Sequence, residues 1–101
     1  MGLEQYFFTK KNYEENEVFY FAKYYALQDF IADVVINPVP YGIPVRLRKH
    51  QIESMIDFVI GDTENYFMYD EDGPTDTMIR FLGLLTYHKN TNKPLYYGAD
   101  W

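Results

Sequence analysis

The chain predicts an α+β fold: two or three helices packed with a small, short-stranded sheet. Three observations carry the prediction. Residues 17–36 form a long apolar segment free of Pro and Gly, too long for a typical strand. Residues 48–60 place Ile52, Met55, Ile56, Val59 and Ile60 at i, i+3, i+4, i+7 and i+8, one face of a helix. Short aromatic or β-branched runs bounded by turn residues lie around these two segments and read as strands. At 101 residues the chain makes one domain, 1–101.

In chain order, residues 3–9 (L-E-Q-Y-F-F-T) predict a short strand, and residues 10–15 a polar turn. The spacing then predicts one helix over 17–36. Asn16 is its candidate N-cap, and Glu17 would sit at the positive end of the helix dipole. Asn37-Pro38 stops it, because a residue before proline avoids the helical region. On a helical wheel Tyr20, Tyr24, Leu27, Ile31, Val34 and Val35 make one stripe. Val18 and Tyr25 make a second, and Asp29 and Asp33 occupy a narrow polar face. A helix apolar nearly all round is usually central, so this one is expected to organise the fold. Residues 37–44, with three prolines, must be extended. A short strand is expected over 43–47.

The helix over 48–60 should bury Ile56 and end at Gly61. Residues 62–65 turn the chain, 66–69 read as a strand and 70–74 (D-E-D-G-P) as an exposed acidic loop. Residues 75–87 predict a third helix, capped by Thr75 or Asp76, with Met78, Phe81, Leu82 and Leu85 at helical spacing. Gly83 weakens that helix by about 1 kcal/mol. Its rival is a strand entering a hairpin at 89–94, with 95–97 as the return.

Net charge is −6, from 9 Lys+Arg against 15 Asp+Glu, so a phosphate-backbone footprint for nucleic acid is not expected. Aromatics make up 20% of the chain, with 11 Tyr and 8 Phe. Tyrosine suits both core filling and binding surfaces. The absence of Cys excludes disulfides and thiolate metal sites. Lys23, Gln28, Asp29 and Asp33 interrupt the longest apolar run, so no membrane span is expected. With no basic-then-apolar start, a cytoplasmic location is expected.

Catalytic signatures are missing. Asp70, Asp72 and Asp76 lack EF-hand spacing because Gly73 comes too early. His50 and His88 have no second histidine at metal spacing. Ser54 has no nucleophile-elbow sequence around it, and there is no Gly-rich phosphate loop. The expectation is therefore no enzyme, no metal and no cofactor. Arg46, Arg48, Lys49 and His50 stand out from the acidic background. Such a cluster could grip a phosphate or a carboxylate. An ordinary exposed helix start is the competing explanation.

The opening M-G-L-E-Q-Y-F, then E-V-F-Y-F-A-K-Y-Y-A-L-Q-D-F at 17–30 and V-R-L-R-K-H-Q-I-E-S-M-I at 45–56, resembles a group of small phage and prophage proteins. Those begin M-G-L-D-M-Y-L and carry a helix close to E-V-A-Y-W-R-K-A-N-A-I-H. The likeness covers about two-thirds of the chain. Glu17, Val18, Tyr20, Lys23, Ala26 and Phe30 fit the pattern or stay near it. Phe21, Ala22, Tyr25 and Gln28 depart from its Trp, Arg, Asn and His. The resemblance implies an accessory protein made inside an infected bacterium.

Three functional expectations follow. The first is a non-enzymatic phage-type protein that binds a host or defence protein, with Tyr66, Tyr69, Asp70, Glu71 and Asp72 offering aromatic anchors beside rim charge. The second is a binder of a nucleotide or signalling ligand, with Glu17, Tyr20, Lys23 and Gln28 lining the pocket and Arg46 or Arg48 reaching the phosphate. A structural, self-assembling phage component is a third expectation, and homo-oligomer formation is left open.

Overall fold

The computed structural model describes residues 2–10, 16–62 and 75–101. Alternating aromatic side chains suit a pleated surface with one covered face, and two such segments pair. β1 (Glu4–Phe8) and β2 (Glu17–Ala22) run antiparallel, with Gln5 opposite Phe21 and Phe7 opposite Phe19. β3 (Val45–Arg46) and β4 (Tyr96–Asp100) complete a four-stranded antiparallel sheet in the order β2-β1-β4-β3. Three helices accompany it: α1 (Tyr25–Phe30), which runs on into a π-helical turn at Ile31–Val35, α2 (Lys49–Gly61) and α3 (Asp76–Thr91). The architecture is α+β, as the sequence predicts.

The single helix expected over 17–36 is not formed. Its first third is β2, and the helix begins only at Tyr25. Residues 17–22 satisfy two periods at once, and the period of two wins because β1 offers a partner. Phe19 and Phe21 turn toward the core while Val18 and Tyr20 are exposed. Lys23 then takes a left-handed φ of 61°, and its backbone N–H donates to the Leu3 carbonyl at 2.8 Å, which separates strand from helix. Asn16 is not an N-cap either. Its carbonyl accepts from the Thr9 backbone N–H at 2.9 Å, bridging the ends of β1 and β2. From Tyr24 to Ile31 the expected stripe holds, since Tyr24, Leu27 and Ile31 are buried, but Val34 is 63% exposed. The helical stretch stops before Asn37-Pro38, as expected.

Along α2, Ile52, Met55 and Val59 are buried. Ile56 lies at the flank, half-buried, and Ile60 is 51% exposed. The expectation that Ile56 is a core residue is therefore corrected. Three helical positions suffice to meet the core, and the i+4 partners fall to its side. The 75–87 segment is helical, and α3 extends to Thr91. Thr75 caps it, its Oγ1 accepting from the Met78 N–H at 3.4 Å. Asn92, with a left-handed φ of 57°, ends it. The strand expected over 66–69 and the loop over 70–74 lie outside the described residues.

The core sits between one sheet face and the helices. Phe81 of α3 meets Phe7, Phe19 and Phe21 with ring centroids 5.0, 5.1 and 4.7 Å away. A polar thread crosses it. Gln5 donates to the Tyr24 carbonyl at 3.0 Å and to the Tyr97 hydroxyl at 3.2 Å, and it accepts from the Tyr24 N–H at 2.8 Å. Tyr97 donates to Gln28 and Tyr24 to Asp62, both at 2.5 Å. These bonds satisfy groups whose burial would otherwise be costly, and they tie α1 to the sheet. Among the described residues no helix is long and apolar enough to cross a membrane.

Candidate functional site

Three pieces of backbone converge at one end of the molecule. β3 places Val45 opposite Tyr97 and Arg46 opposite Tyr96. Leu47 is buried, with its N–H on the Leu95 carbonyl at 2.8 Å, so the chain leaves β3 pinned against the start of β4. Arg48 follows in an extended conformation as the N-cap of α2. Gln51 fixes this corner: its Oε1 accepts from the Arg48 N–H at 2.6 Å, and its Nε2 donates to the Val35 carbonyl at 2.9 Å. From the other side come His88, in the last turn of α3, and Asn92 and Lys93 just beyond it.

Between them opens a cleft of about 580 Å3, lined by Val45, Leu47 and Ile52 on the apolar side. Arg46, Arg48, Lys49, His88, Asn92 and Lys93 supply the polar lining. The size falls inside the range of about 300–1,000 Å3 usual for ligand pockets. Four of the chain's nine Lys and Arg are here, although the chain carries −6 in all. Among the described residues no carboxylate lines the cleft, and none pairs with Arg46, Arg48 or Lys49. The first turn of α2 has no acidic residue, and the Arg48 guanidinium has no lone pair with which to cap it. The positive end of the α2 dipole therefore adds to the cations rather than being offset by a side chain. Lys93 holds its Nζ 5.4 Å from the centre of the Tyr87 ring. A hydrogen bond with the Tyr87 side chain keeps the Lys93 pKa above its ordinary value.

His88 is 4% exposed, and its Nδ1 lies 2.9 Å from the Lys93 carbonyl. A carbonyl only accepts, so Nδ1 carries the hydrogen.

Arg46 and Arg48 are thus brought together with Lys49, while His50 is exposed on the first turn of α2 and is not part of the lining. The other expected pocket residues lie apart. Gln28 faces inward and accepts the Tyr97 hydrogen bond. Lys23 occupies the left-handed turn after β2. Tyr20 lies on the sheet face away from the helices, its ring 5.2 Å from that of Tyr6 and its hydroxyl 3.4 Å from Glu4. Glu17 borders a smaller cavity of about 200 Å3 near Tyr6, Phe8 and Asp100. Tyr66, Tyr69, Asp70, Glu71 and Asp72 lie outside the described residues. His88, Asn92 and Lys93 are additions from the structure. The basic stretch 88–93 is their only trace in the sequence, and nothing local joins it to 46–49. Among the described residues no three or more His, Cys, Asp or Glu side chains gather as a metal site.

Comparison with protein-family models, with curated proteins and with solved structures finds no match.

Proposed function

We propose that this chain is a small non-enzymatic binding protein that captures an anionic ligand, a nucleotide or related signalling phosphate, in its basic cleft. One observation carries the reading: Arg46, Arg48 and Lys49 share a cleft to which the described residues contribute no carboxylate, in a chain that is acidic as a whole. Cations left unpaired repel one another, and an anion relieves that repulsion while meeting guanidinium forks and the start of α2. A binding role is supported by the described lining, which sets cations, an amide and one histidine around apolar Val45, Leu47 and Ile52, a set suited to holding an anion. The phage-type resemblance suits an accessory protein in the cytoplasm of an infected bacterium, where withdrawing a phosphorylated signal would serve the phage.

The test is a thermal-shift screen of mono-, di- and cyclic nucleotides at low ionic strength. A ligand at a hundredfold excess over its Kd should add about 2.7 kcal/mol of stability. Arg48→Ala should abolish the gain and Arg46→Ala should reduce it. No stabilisation by any anion in the wild-type protein overturns the reading.

A host or defence protein as partner is the second reading. It is favoured by Tyr41 and Trp101, both exposed and meeting edge to face at 5.0 Å, the kind of aromatic pair that anchors interfaces. Retention of a lysate protein by wild type and its loss in Trp101→Ala would support this reading. Equal recovery by both would remove the aromatic pair from it.

A further inference from the structure

The cations say that the ligand is an anion. His88 says which kind. We infer that the cleft is built for a phosphate monoester, with one proton held between a terminal phosphate oxygen and His88 Nε2; this rests on the proposed function.

With its hydrogen on Nδ1 facing the Lys93 carbonyl, neutral His88 carries a lone pair on Nε2. No protein atom among the described residues is bonded to that nitrogen. No enclosed polar side-chain atom of the described residues lacks a partner, so Nε2 is not sealed in the core. His88 lines the cleft, and we infer that its open nitrogen faces it. A histidine almost wholly enclosed, with one nitrogen anchored and the other open, is held in a fixed orientation.

Among the described residues, the charged groups that share the cleft with it are Arg46 from β3, Arg48 and Lys49 from the start of α2, and Lys93 after α3. Tyr87 on its own helix adds a ring 5.2 Å away, edge to face. All four charged neighbours are cations and only donate. Among them the Nε2 lone pair of the neutral ring is the fixed acceptor. Asn92 can donate or accept. The site therefore combines strong donors with a fixed lone pair, and a fully deprotonated anion does not match it. Its oxygens suit the guanidinium groups but leave Nε2 facing negative charge.

A phosphate monoester resolves the mismatch because its second proton leaves near pH 6, close to working conditions. It brings the proton with it, or it binds as the dianion while His88 takes one from water. Both routes give the same complex. Phosphodiesters and sulfate carry no proton near neutrality, and their oxygens are too weakly basic to share one with Nε2. The inference separates ligands of similar size and charge by protonation chemistry rather than by shape.

Isothermal titration calorimetry on the intact protein tests this with adenosine monophosphate, its cyclic phosphodiester, inorganic phosphate and sulfate. Runs between about pH 6 and 9, in buffers of different ionisation heat, count the protons exchanged. The monoester should bind at least about tenfold tighter than the cyclic form, and phosphate tighter than sulfate. Binding on the alkaline side should take up close to one proton per ligand. His88→Asn keeps a donor toward the Lys93 carbonyl and removes the group facing the cleft. It should lose the proton uptake and the monoester preference while retaining the weaker anion affinity that Arg48 supplies. Equal affinity for monoester and diester, or proton uptake unchanged in His88→Asn, overturns the inference and leaves the proposed function standing. The wild-type comparison decides the matter even where the variant does not fold. Failure of every anion to bind overturns both.

Discussion

Met55 is fully enclosed at the middle of α2, between Ile52 and Val59. Met55→Ala should cost about 2–5 kcal/mol, the range for removing a buried side chain without full collapse of the cavity. Ile56→Ala should cost less, and Ile60→Ala should stay within about 0.5 kcal/mol because half of that side chain already meets water. Urea melts of the three variants check the order. Tyrosine titration probes the polar thread. Burial pushes the Tyr97 phenol above its ordinary value, outweighing the opposite effect of its Gln5 hydrogen bond. Tyr6 is raised to about 12, mainly by loss of solvation and then by its hydrogen bond to Glu4. A raised folded-state pKa means that the unfolded chain gives up its protons first. The stability from these groups is therefore full below about pH 10 and is lost as pH rises toward their folded values. Absorbance of tyrosinate should show these two ionising after the exposed tyrosines. Unfolding free energy should fall over the same interval, with a shallower fall in Tyr97→Phe. A slope that is identical in that variant counts against the buried-phenol account.

At the scale of elements, α3 carries a defect that can be repaired. Gly83 is an exposed interior position, and a Cβ placed there meets nothing within 4 Å. Gly83→Ala should therefore stabilise the protein by about 0.5–1 kcal/mol, through a smaller entropy loss on folding and better helix propensity. A thermal melt with an unchanged or lowered midpoint counts against this. The same element shows how much the sequence made legible. Thr75 and the spacing of Met78, Phe81, Leu82 and Leu85 point to α3; Met78, Phe81 and Leu85 are buried and Leu82 is partly buried. The 48–60 spacing identified α2 for the same reason. Both helices show the helical period, and each has one clear end signal, Gly61 at the end of α2 and Thr75 at the start of α3. Residues 17–22 were misread because Val18, Phe19, Tyr20 and Phe21 fill a helical wheel as readily as a pleated strand. The neighbour that decides, β1, is a tertiary fact. β4 was legible only over residues 95–97, and then only in the rival hairpin. Gly98, Ala99 and Asp100 carry little strand propensity, and their pairing with β1 holds them.

For the whole molecule, the cationic end and the stability of the fold are opposed. Lys49 sits in the first turn of α2, where positive charge is unfavourable. Lys49→Glu should raise stability by about 0.3–1 kcal/mol while weakening anion capture. Denaturant melts and ligand titrations on the one variant measure both sides. A variant that gains stability and binds as before would show that Lys49 is not part of the site. Half of this cleft was visible in the sequence as Arg46, Arg48 and Lys49, because those residues are neighbours in the chain. His88, Asn92 and Lys93 join them only once α3 has packed on α2, which no local pattern encodes. The position of β4 between β1 and β3 has a further consequence, in the timing of synthesis. β1 leaves the ribosome early, yet one of its two neighbours, residues 96–100, is made some ninety residues later. Until then β3 has no strand to pair with, and the cleft it helps to line has no fixed wall. The growing chain carries aromatic surface that only its late segment completes, so closure of the sheet awaits that segment.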